Sequence, residues 1–239
     1  TTNNGMNKLT TGAEDINGKY GGTKSVEELY VPVTARYTTN SYTLRLTIPY
    51  IRLTGPSNTV KTGDIIIPGT AKDKISTDSG LGDVIAGVSY HDAFNTEATS
   101  DIAIDFTAKI KFGTADEDKG LGSGENDYTV QAELYNYYDQ FMLFGILGYK
   151  FHGDPADINF NNSLLSFVGI SYTLSRSLKT GIDFYYQEAL FYDVDNQMEL
   201  SAFLRYKISN TWFLRSYLIK GFGDTSPDWG AGALITFMQ

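Results

Sequence analysis

The stretch QMELSAFLRYKISNTWFLRSYLIKGFGDTSPDWGAGALITF, residues 197–237, decides the fold that the sequence predicts. From Met198 to Ile208 every second residue is aliphatic, methionine or tyrosine, and most residues between them are polar. Successive side chains of a β-strand point to opposite faces, so this period of two predicts a strand with one apolar face. A tight turn at Ser209-Asn210 and a longer polar loop at 223–228 separate two further runs of the same kind.

The apolar face of each run extends over about ten residues, which is the length that a tilted strand needs to cross a bilayer. The connections between the runs also alternate between short and long. Both features are typical of a transmembrane β-barrel, in which short turns lie on the periplasmic side and long loops lie outside the cell.

The same alternation recurs along the chain and predicts about twelve strands, with a small hairpin near residues 64–67 inside a long loop. The first run, residues 9–15, is the weakest, so we expect the seam between it and the last strand to be the least regular part of the wall. An even strand count places both chain ends on one side. The short turns near residues 39, 138, 176 and 210 share one side with the slightly longer 91–99 connection.

We therefore predict an all-β fold, a transmembrane antiparallel up-and-down β-barrel of about twelve strands. Residues 9–239 would form this single outer-membrane domain, and residues 1–8 would form an N-terminal extension. A soluble β-sandwich or lipocalin-like barrel is the main alternative. Such a fold would have to bury every apolar face, which exceeds what one soluble interior of this size can hold.

The composition favours the bacterial envelope. The chain has 17 tyrosines, whose apolar rings and polar hydroxyls suit a membrane interface. The net charge of −9 argues against nucleic acid as a partner, although divalent cations would let such a surface lie among lipopolysaccharide. The chain has no cysteine and therefore no disulfide or thiolate chemistry. Thr1-Thr2-Asn3-Asn4 lacks the basic start and apolar core of a signal peptide, so we expect a mature outer-membrane chain from which the signal was removed.

If the apolar face meets lipid, the alternate residues line the lumen, because charges on the lipid side would be costly. The predicted charged lining consists of Arg36, Arg45, Asp105, Lys109, Lys111, Glu133, Lys150, Asp183, Glu199, Arg205, Lys207 and Arg215. In one interpretation these residues form a basic ladder that attracts anionic solutes. In the other, acidic residues on neighbouring strands neutralise the ladder and hold the wall rigid.

Two turns allow the cross-strand neighbours to be predicted. Pairing Tyr37 with Tyr42 across the turn at 38–41 places Arg45 diagonal to Arg36. Pairing Ile208 with Trp212 places Arg205 opposite Arg215.

The run at residues 141–149 is apolar on both faces, unlike the others. Pairing Leu134 with Leu143 directs Phe144 and Ile146 into the lumen. The same alternation gives an apolar and aromatic lining of Phe144, Ile146, Tyr185, Phe203, Phe213 and Tyr217. This set could bind hydrophobic substrates, contact a plug made from a terminus or an inward-folded loop, or simply fill a narrow barrel.

Motifs for catalysis and metal binding are weak. Asp116 and Asp118 could hold Ca²⁺ through carboxylates, but their spacing is not that of an EF-hand, and solvated acidic loops are commoner. We predict no cofactor and no enzymatic activity. The two histidines, His91 and His152, fall at opposite rims, and we find no lipid-facing Ser–His pair on adjacent strands of the kind that an outer-membrane phospholipase needs.

Seven motifs in order carry a resemblance to a known family. They are Gly18-Lys19-Tyr20-Gly21-Gly22, Tyr30-Val31-Pro32-Val33, Pro49-Tyr50-Ile51-Arg52-Leu53-Thr54-Gly55-Pro56, Ser79-Gly80-Leu81-Gly82-Asp83, Lys111-Phe112-Gly113-Thr114-Ala115-Asp116, Gly148-Tyr149-Lys150-Phe151-His152-Gly153-Asp154-Pro155 and Ser226-Pro227-Asp228-Trp229-Gly230-Ala231-Gly232. From about residue 8 onward the chain resembles the outer-membrane family named for the meta-cleavage pathway of phenol degradation. It departs from that family in its polar first strand, with Glu14-Asp15, and in its last residues, Phe237-Met238-Gln239.

The resemblance implies a Gram-negative outer-membrane barrel that transports hydrophobic or aromatic compounds. The family is also similar to, or includes, the channel that exports functional-amyloid subunits in pseudomonads, a twelve-stranded barrel with an N-terminal extension and plug. We therefore expect a porin-like channel for small hydrophobic or aromatic solutes, with a polypeptide secretion pore and a non-conducting structural barrel as alternatives. The expected partners are outer-membrane lipid and lipopolysaccharide, the transported solute or exported polypeptide, and the barrel-assembly machinery.

Overall fold

The computed structural model describes residues 5–70, 74–91, 102–156 and 158–239, and nearly all of its regular structure is β-strand. The strands in chain order are β1 (Met6–Gly18), β2 (Val26–Thr38), β3 (Tyr42–Pro56), β4 (Val60–Thr62), β5 (Ile65–Ile67), β6 (Ile75–Leu81), β7 (Ile85–Tyr90), β8 (Ile102–Lys111), β9 (Asp127–Tyr138), β10 (Phe141–Phe151), β11 (Ser163–Thr173), β12 (Leu178–Gln187), β13 (Gln197–Lys207), β14 (Trp212–Phe222) and β15 (Trp229–Met238). Among these described residues there is no helix of the length and apolarity needed to cross a membrane.

The strands form a closed antiparallel barrel. Each strand pairs with its neighbours in the order β2-β1-β15-β14-β13-β12-β11-β10-β9-β8-β7-β3-β6, and β2 also pairs with β3, which completes the ring. Strands β6 and β7 pair with successive halves of β3 and act as one wall strand that is interrupted at residues 82–84. The wall therefore has twelve strands, as the sequence predicts, and β4 and β5 form a separate hairpin.

The seam between the first and last strands is regular, contrary to our expectation. Strand β1 pairs with β15 without a break from Lys8↔Met238 to Asn17↔Trp229. The hydroxyls of Thr10 and Thr236 are also 2.9 Å apart across the seam. The polar side chains of β1 do not weaken this pairing, because the ladder is made by backbone groups and the polar face points into the barrel.

Two of the three predicted cross-strand relations need correction. Arg205 lies opposite Arg215, as predicted. Tyr37 pairs with Leu44 rather than Tyr42, so Arg36 lies directly opposite Arg45. Leu134 pairs with Gly145 rather than Leu143. Both errors are shifts of two residues, which change the neighbour but keep every side chain on the same face.

The faces of the wall are inverted relative to a soluble barrel. On β3, Leu44 and Leu46 are 54% and 44% exposed, whereas Thr43 and Thr47 between them are 6% and 8% exposed. Aromatic side chains such as Tyr42 and Tyr50 occupy the two ends of this outward apolar face, as in the aromatic girdles of membrane barrels. The arrangement excludes the soluble alternative, because the apolar face needs lipid to cover it.

The two ends of the barrel differ. Short turns after β2, β9, β11 and β13 lie at the end that also holds both chain termini, and the longer loops lie at the other end. We call these the turn end and the loop end. Of the predicted 91–99 connection, residues 92–99 lie outside the described residues.

The main buried apolar cluster among the described residues lies at the loop end. It consists of Tyr20, Val26, Ile51, Leu53, Ile66 and Leu121. Since Ile66 belongs to the β4–β5 hairpin and Leu121 to the loop after β8, this cluster holds both segments against the wall.

Candidate functional site

The β4–β5 hairpin crosses the interior of the barrel at the loop end. Lys61 Nζ lies 2.8 Å from Glu28 Oε1 on β2. The Gln197 amide on β13 donates to the Asp64 carbonyl at 3.4 Å. Gly63 also lies close to Lys150 on β10. A Cβ added at this glycine would be only 2.6 Å from Lys150 Nζ. A hairpin that contacts β2, β10 and β13 together spans the interior, and it confirms the predicted small hairpin near residues 64–67.

Charge complementarity holds the hairpin in place. Burial by itself would lower the pKa of Lys61, but the adjacent Glu28 carboxylate outweighs it and raises that pKa. Burial would likewise raise the pKa of Asp64, yet Lys150 and Lys61 hold it below its usual value. Lys61 is therefore charged at neutral pH and paired with Glu28 on the wall, and Asp64 is charged in the field of the surrounding lysines.

A cavity of about 490 Å³, which we call the upper cavity, lies against the hairpin. Its lining includes the predicted residues Arg45, Lys109, Lys111, Lys150, Ile146 and Tyr185, together with Lys61 and Asp64 of the hairpin. Asp83 and Asp127 also line it, so the wall contributes four positive and two negative side chains, and the hairpin contributes one charge of each sign.

A second cavity of about 480 Å³, the vestibule, lies toward the turn end. The predicted residues Arg36, Phe144, Phe203, Arg205, Phe213 and Arg215 line it, and so do Lys8 and Lys179. Thr34 and Phe167 line both cavities, so the upper cavity and the vestibule adjoin inside the barrel.

Arginine and aromatic side chains are stacked in the vestibule. The Arg215 guanidinium lies 4.8 Å from the Phe203 ring centroid and 5.5 Å from that of Tyr217. Arg205 lies 5.1 Å from the Phe213 centroid. Such cation–π contacts orient a guanidinium while its N–H groups stay available to a partner in the ring plane. Tyr217 also donates from its hydroxyl to Glu14 at 2.6 Å.

Each predicted acidic residue of the lining contacts a neighbouring side chain. Asp105 lies 2.9 Å from His91 Nδ1. Glu133 accepts hydrogen bonds from Thr107, Gln131 and Tyr135, and Glu199 accepts one from Gln197. Asp183 lies 3.6 Å from Arg215. Lys207, at the turn end of β13, pairs with Phe213 in the ladder and is exposed.

Ion pairing is therefore uneven along the barrel. At the loop end, Lys111 lies 2.8 Å from Asp83 and 3.6 Å from Asp127, and Lys150 lies 3.9 Å from Asp127. Within the part of the chain that the structure describes, Arg36, Arg45, Lys109 and Arg205 have no carboxylate partner within 4.0 Å. The ion pairs of Lys111 and Lys150 lie at the loop end, whereas Arg45 and Lys109 line the upper cavity and Arg36 and Arg205 line the vestibule.

A buried polar cluster at the loop end was missed in the sequence. His152 Nε2 lies 3.1 Å from Ser163 Oγ, and His152 Nδ1 lies 3.8 Å from Asp127 Oδ2. These residue types match a hydrolytic triad, and the Ser–His pair lies at the ends of adjacent strands. The His152 side chain faces inward and is fully buried, so it contacts neither lipid nor solvent. Lys150 and His152 are two residues apart, so strand alternation predicts that both side chains face inward. Combined with the pairing of Lys150 with Ser163, this would have identified the cluster.

Burial, then the positive charges of Lys150 and Lys111, lower the pKa of His152 to about 3. The imidazole is therefore neutral at physiological pH. It can form a hydrogen bond with Ser163 without adding charge to a cluster that already holds two lysines.

Asp116 of the acidic loop forms an ion pair with a neighbouring lysine. Asp116 Oδ2 lies 2.8 Å from Lys119 Nζ, and the hydrogen bond from Lys119 lowers the pKa of Asp116. No group of three or more candidate ligands is close enough to hold a metal ion in the described ranges, which leave out residues 1–4, 71–73, 92–101 and 157.

Comparison with known proteins gives a family and a fold. The family model described as "Putative MetA-pathway of phenol degradation" matches residues 3–238. No curated protein matches the chain. The crystal structure of an outer membrane channel from Pseudomonas putida F1 is similar, with a TM-score of 0.73 and 12% identity over 98% of this chain and 94% of that one.

Two other solved barrels share the fold. The KdgM porin in complex with disordered oligogalacturonate has a TM-score of 0.58 and 10% identity, over 96% of this chain and 98% of that one. The translocator domain of the autotransporter NalP from Neisseria meningitidis has a TM-score of 0.51 and 11% identity, over 100% and 88%. These likenesses show the fold, which this chain shares with solved outer-membrane β-barrels.

Proposed function

Because this chain belongs to the MetA-pathway family of phenol degradation, we propose that it is an outer-membrane channel that passes small hydrophobic or aromatic solutes through the charged and aromatic interior of its barrel. The observation that carries the proposal is the pair of adjoining cavities inside a closed wall. Their volumes, about 490 and 480 Å³, lie in the range of small-molecule sites.

The predicted charged and aromatic residues would act as the lining of this path. Arg45, Lys109 and Lys150 would contact solute in the upper cavity, and Phe144, Phe203 and Phe213 would contact it in the vestibule. Phe144 and Phe167, with ring centroids 5.6 Å apart, would form the apolar passage between the two. An aromatic solute suits this lining because offset and edge-to-face ring contacts are favourable.

The β4–β5 hairpin would act as the gate. It spans the interior at the loop end and is anchored by one ion pair and one buried apolar cluster. An exported polypeptide would need an opening that is continuous along the whole barrel, so the hairpin favours small solutes over secretion. Lipopolysaccharide at the outer rim and the barrel-assembly machinery at the strand edges remain the proposed partners.

Planar-bilayer conductance of the purified protein tests the proposal. The Ser57 amide donates to the Lys74 carbonyl at 2.8 Å, so the ends of β3 and β6 can be joined directly. Replacing residues 58–73 by Asn-Gly, the residues of a two-residue hairpin turn, removes the gate and leaves the wall intact. We expect small, intermittent currents from the wild type and a severalfold higher conductance from the shortened variant.

The matched control shortens a loop that does not enter the interior. Tyr192, in the loop after β12, is 97% exposed, so deletion of residues 192–194 should leave the conductance unchanged. Absence of current from both the wild type and the 58–73 variant, with both folded, would overturn the channel proposal. Equal currents from the two proteins would show that the hairpin does not gate the channel.

A further inference from the structure

The vestibule concentrates positive charge in a chain whose net charge is negative. Its charged lining residues are Lys8, Arg36, Lys179, Arg205 and Arg215, and none of its described lining residues is acidic. The nearest described carboxylate in an ion pair with any of them is that of Asp183, 3.6 Å from Arg215. The overall charge of −9 therefore does not describe what a solute meets in this cavity.

The cations are arranged in two rows that cross adjacent strands. One row is Lys8 and Arg36 on β1 and β2, continued by Arg45 of the upper cavity on β3, and the other is Lys179, Arg205 and Arg215 on β12, β13 and β14. In each row every member lies directly opposite the next one. Like charges directly opposite one another destabilise a sheet. An anion between the rows would convert that repulsion into attraction.

The aromatic contacts prepare the arginines for such an anion. The Arg215 guanidinium lies over the Phe203 ring, and that of Arg205 lies over the Phe213 ring. A guanidinium that is held by a ring on its face still presents its edge, and that edge forms two parallel hydrogen bonds to a carboxylate. The same rings, with Phe144 and Phe167, offer an apolar surface beside the charged edge.

We propose that the vestibule is a binding site for small aromatic carboxylates, with the carboxylate held by Arg205 and Arg215 and the ring held by the phenylalanines. The site rests on the proposed channel function for the route by which solute arrives. Binding itself requires only the cavity. The class follows from the two halves of the lining. A neutral aromatic would leave four of the five cations without a carboxylate partner, and a bare anion would leave the rings uncovered.

Isothermal titration of the detergent-purified protein with three probes tests this class. Benzoate carries both features, benzyl alcohol carries only the ring, and acetate carries only the charge. We expect benzoate to bind at least about tenfold more tightly than either of the others, because the charge-assisted pair and the ring contacts act together. The double variant Arg205→Gln/Arg215→Gln should lose this preference.

Arg176→Gln is the matched control, because Arg176 is an exposed arginine in a turn at the same end of the barrel. It should bind benzoate like the wild type. If the double variant does not fold, as judged by heat-modifiable gel mobility, Arg205→Lys takes its place. That variant keeps the charge but loses the two-bond geometry, and it should weaken benzoate binding more than acetate binding.

The outcomes separate the site from the channel. Benzoate bound no more tightly than benzyl alcohol, or a loss in Arg176→Gln equal to that in the double variant, would overturn the site even if the bilayers conduct. Tight and arginine-dependent benzoate binding by a protein that passes no current would support the site and count against the channel.

Discussion

At the scale of single residues, the buried cluster around Asp127 explains how charged side chains are tolerated inside this barrel. Lys111 and Lys150 both approach its carboxylate, and Gly153 donates its backbone N–H to the other oxygen at 3.1 Å. Removing one member of a buried ion pair typically costs about 3–5 kcal/mol, because the partner charge is left uncompensated. Neutral His152 completes the cluster without disturbing this balance.

The titration of His152 should make stability depend on pH. Its pKa is about 3 in the folded protein and near ~6.5 in an unfolded chain. Between these values the unfolded state binds more protons, so the free energy of unfolding falls as the pH drops from about 6.5 toward 3, by on the order of 1 kcal/mol per pH unit. Urea unfolding at pH 6.5 and 4.5 should therefore show a loss about 2 kcal/mol larger in the wild type than in His152→Gln. Equal losses in the two proteins would contradict the buried, neutral imidazole.

At the scale of elements, the β4–β5 hairpin depends on its surroundings. Each of its strands has three residues, and a hairpin of this size is not stable alone in water. Its position comes from the Lys61–Glu28 ion pair, from Ile66 in the apolar cluster, and from the Lys61 amide, which donates to the Gly120 carbonyl at 2.8 Å. None of these contacts belongs to the ladder of the wall, so the proposed gate can open without unfolding the wall.

Glu28→Gln should release the hairpin. The substitution leaves the Lys61 ammonium in the interior without its carboxylate, a situation that favours movement of the hairpin toward solvent. We expect more frequent open events in planar bilayers and new trypsin cleavage after Lys61. Glu27→Gln is the matched control, because Glu27 is the exposed neighbour on the opposite face of β2. Protection of Lys61 from trypsin in Glu28→Gln, as in the wild type, would show that the ion pair does not anchor the gate.

At the scale of the whole molecule, alternation along each strand was enough to predict the barrel. Sequence neighbours such as β13 and β14 pair through a tight turn, so local pattern and three-dimensional arrangement coincide. The registers across the turns near 39 and 138 were wrong by two residues, because a period of two does not distinguish such shifts. The contact of Lys61 with Glu28 depends on the hairpin folding into the interior, and the pattern of one strand carries no information about that. The Ser163–His152 pair lies at the ends of the adjacent strands β10 and β11, and finding it required their register across the 152–162 loop.

The outward face should behave as a lipid-facing surface. Leu46 lies midway along the exposed face of β3 and is 44% exposed. Leu46→Lys should reduce the unfolding free energy in lipid vesicles by about 2–4 kcal/mol, the cost of a lysine near the bilayer midplane. Tyr192→Lys, in an exposed loop, should have almost no effect. A Leu46→Lys protein as stable as the wild type would mean that this face does not meet hydrocarbon.

The regular pairing of β1 with β15 also has a consequence for the order of assembly. Every other pairing in the wall joins strands that follow each other in the chain, apart from the segment interrupted by the hairpin. The Thr10–Thr236 contact, in contrast, joins residues 226 positions apart. Pairings of large sequence separation form late and slowly, so hairpins can accumulate one after another into an almost complete sheet. Closure is then a single final event, and until it occurs the two free edges can pair with another copy of the chain.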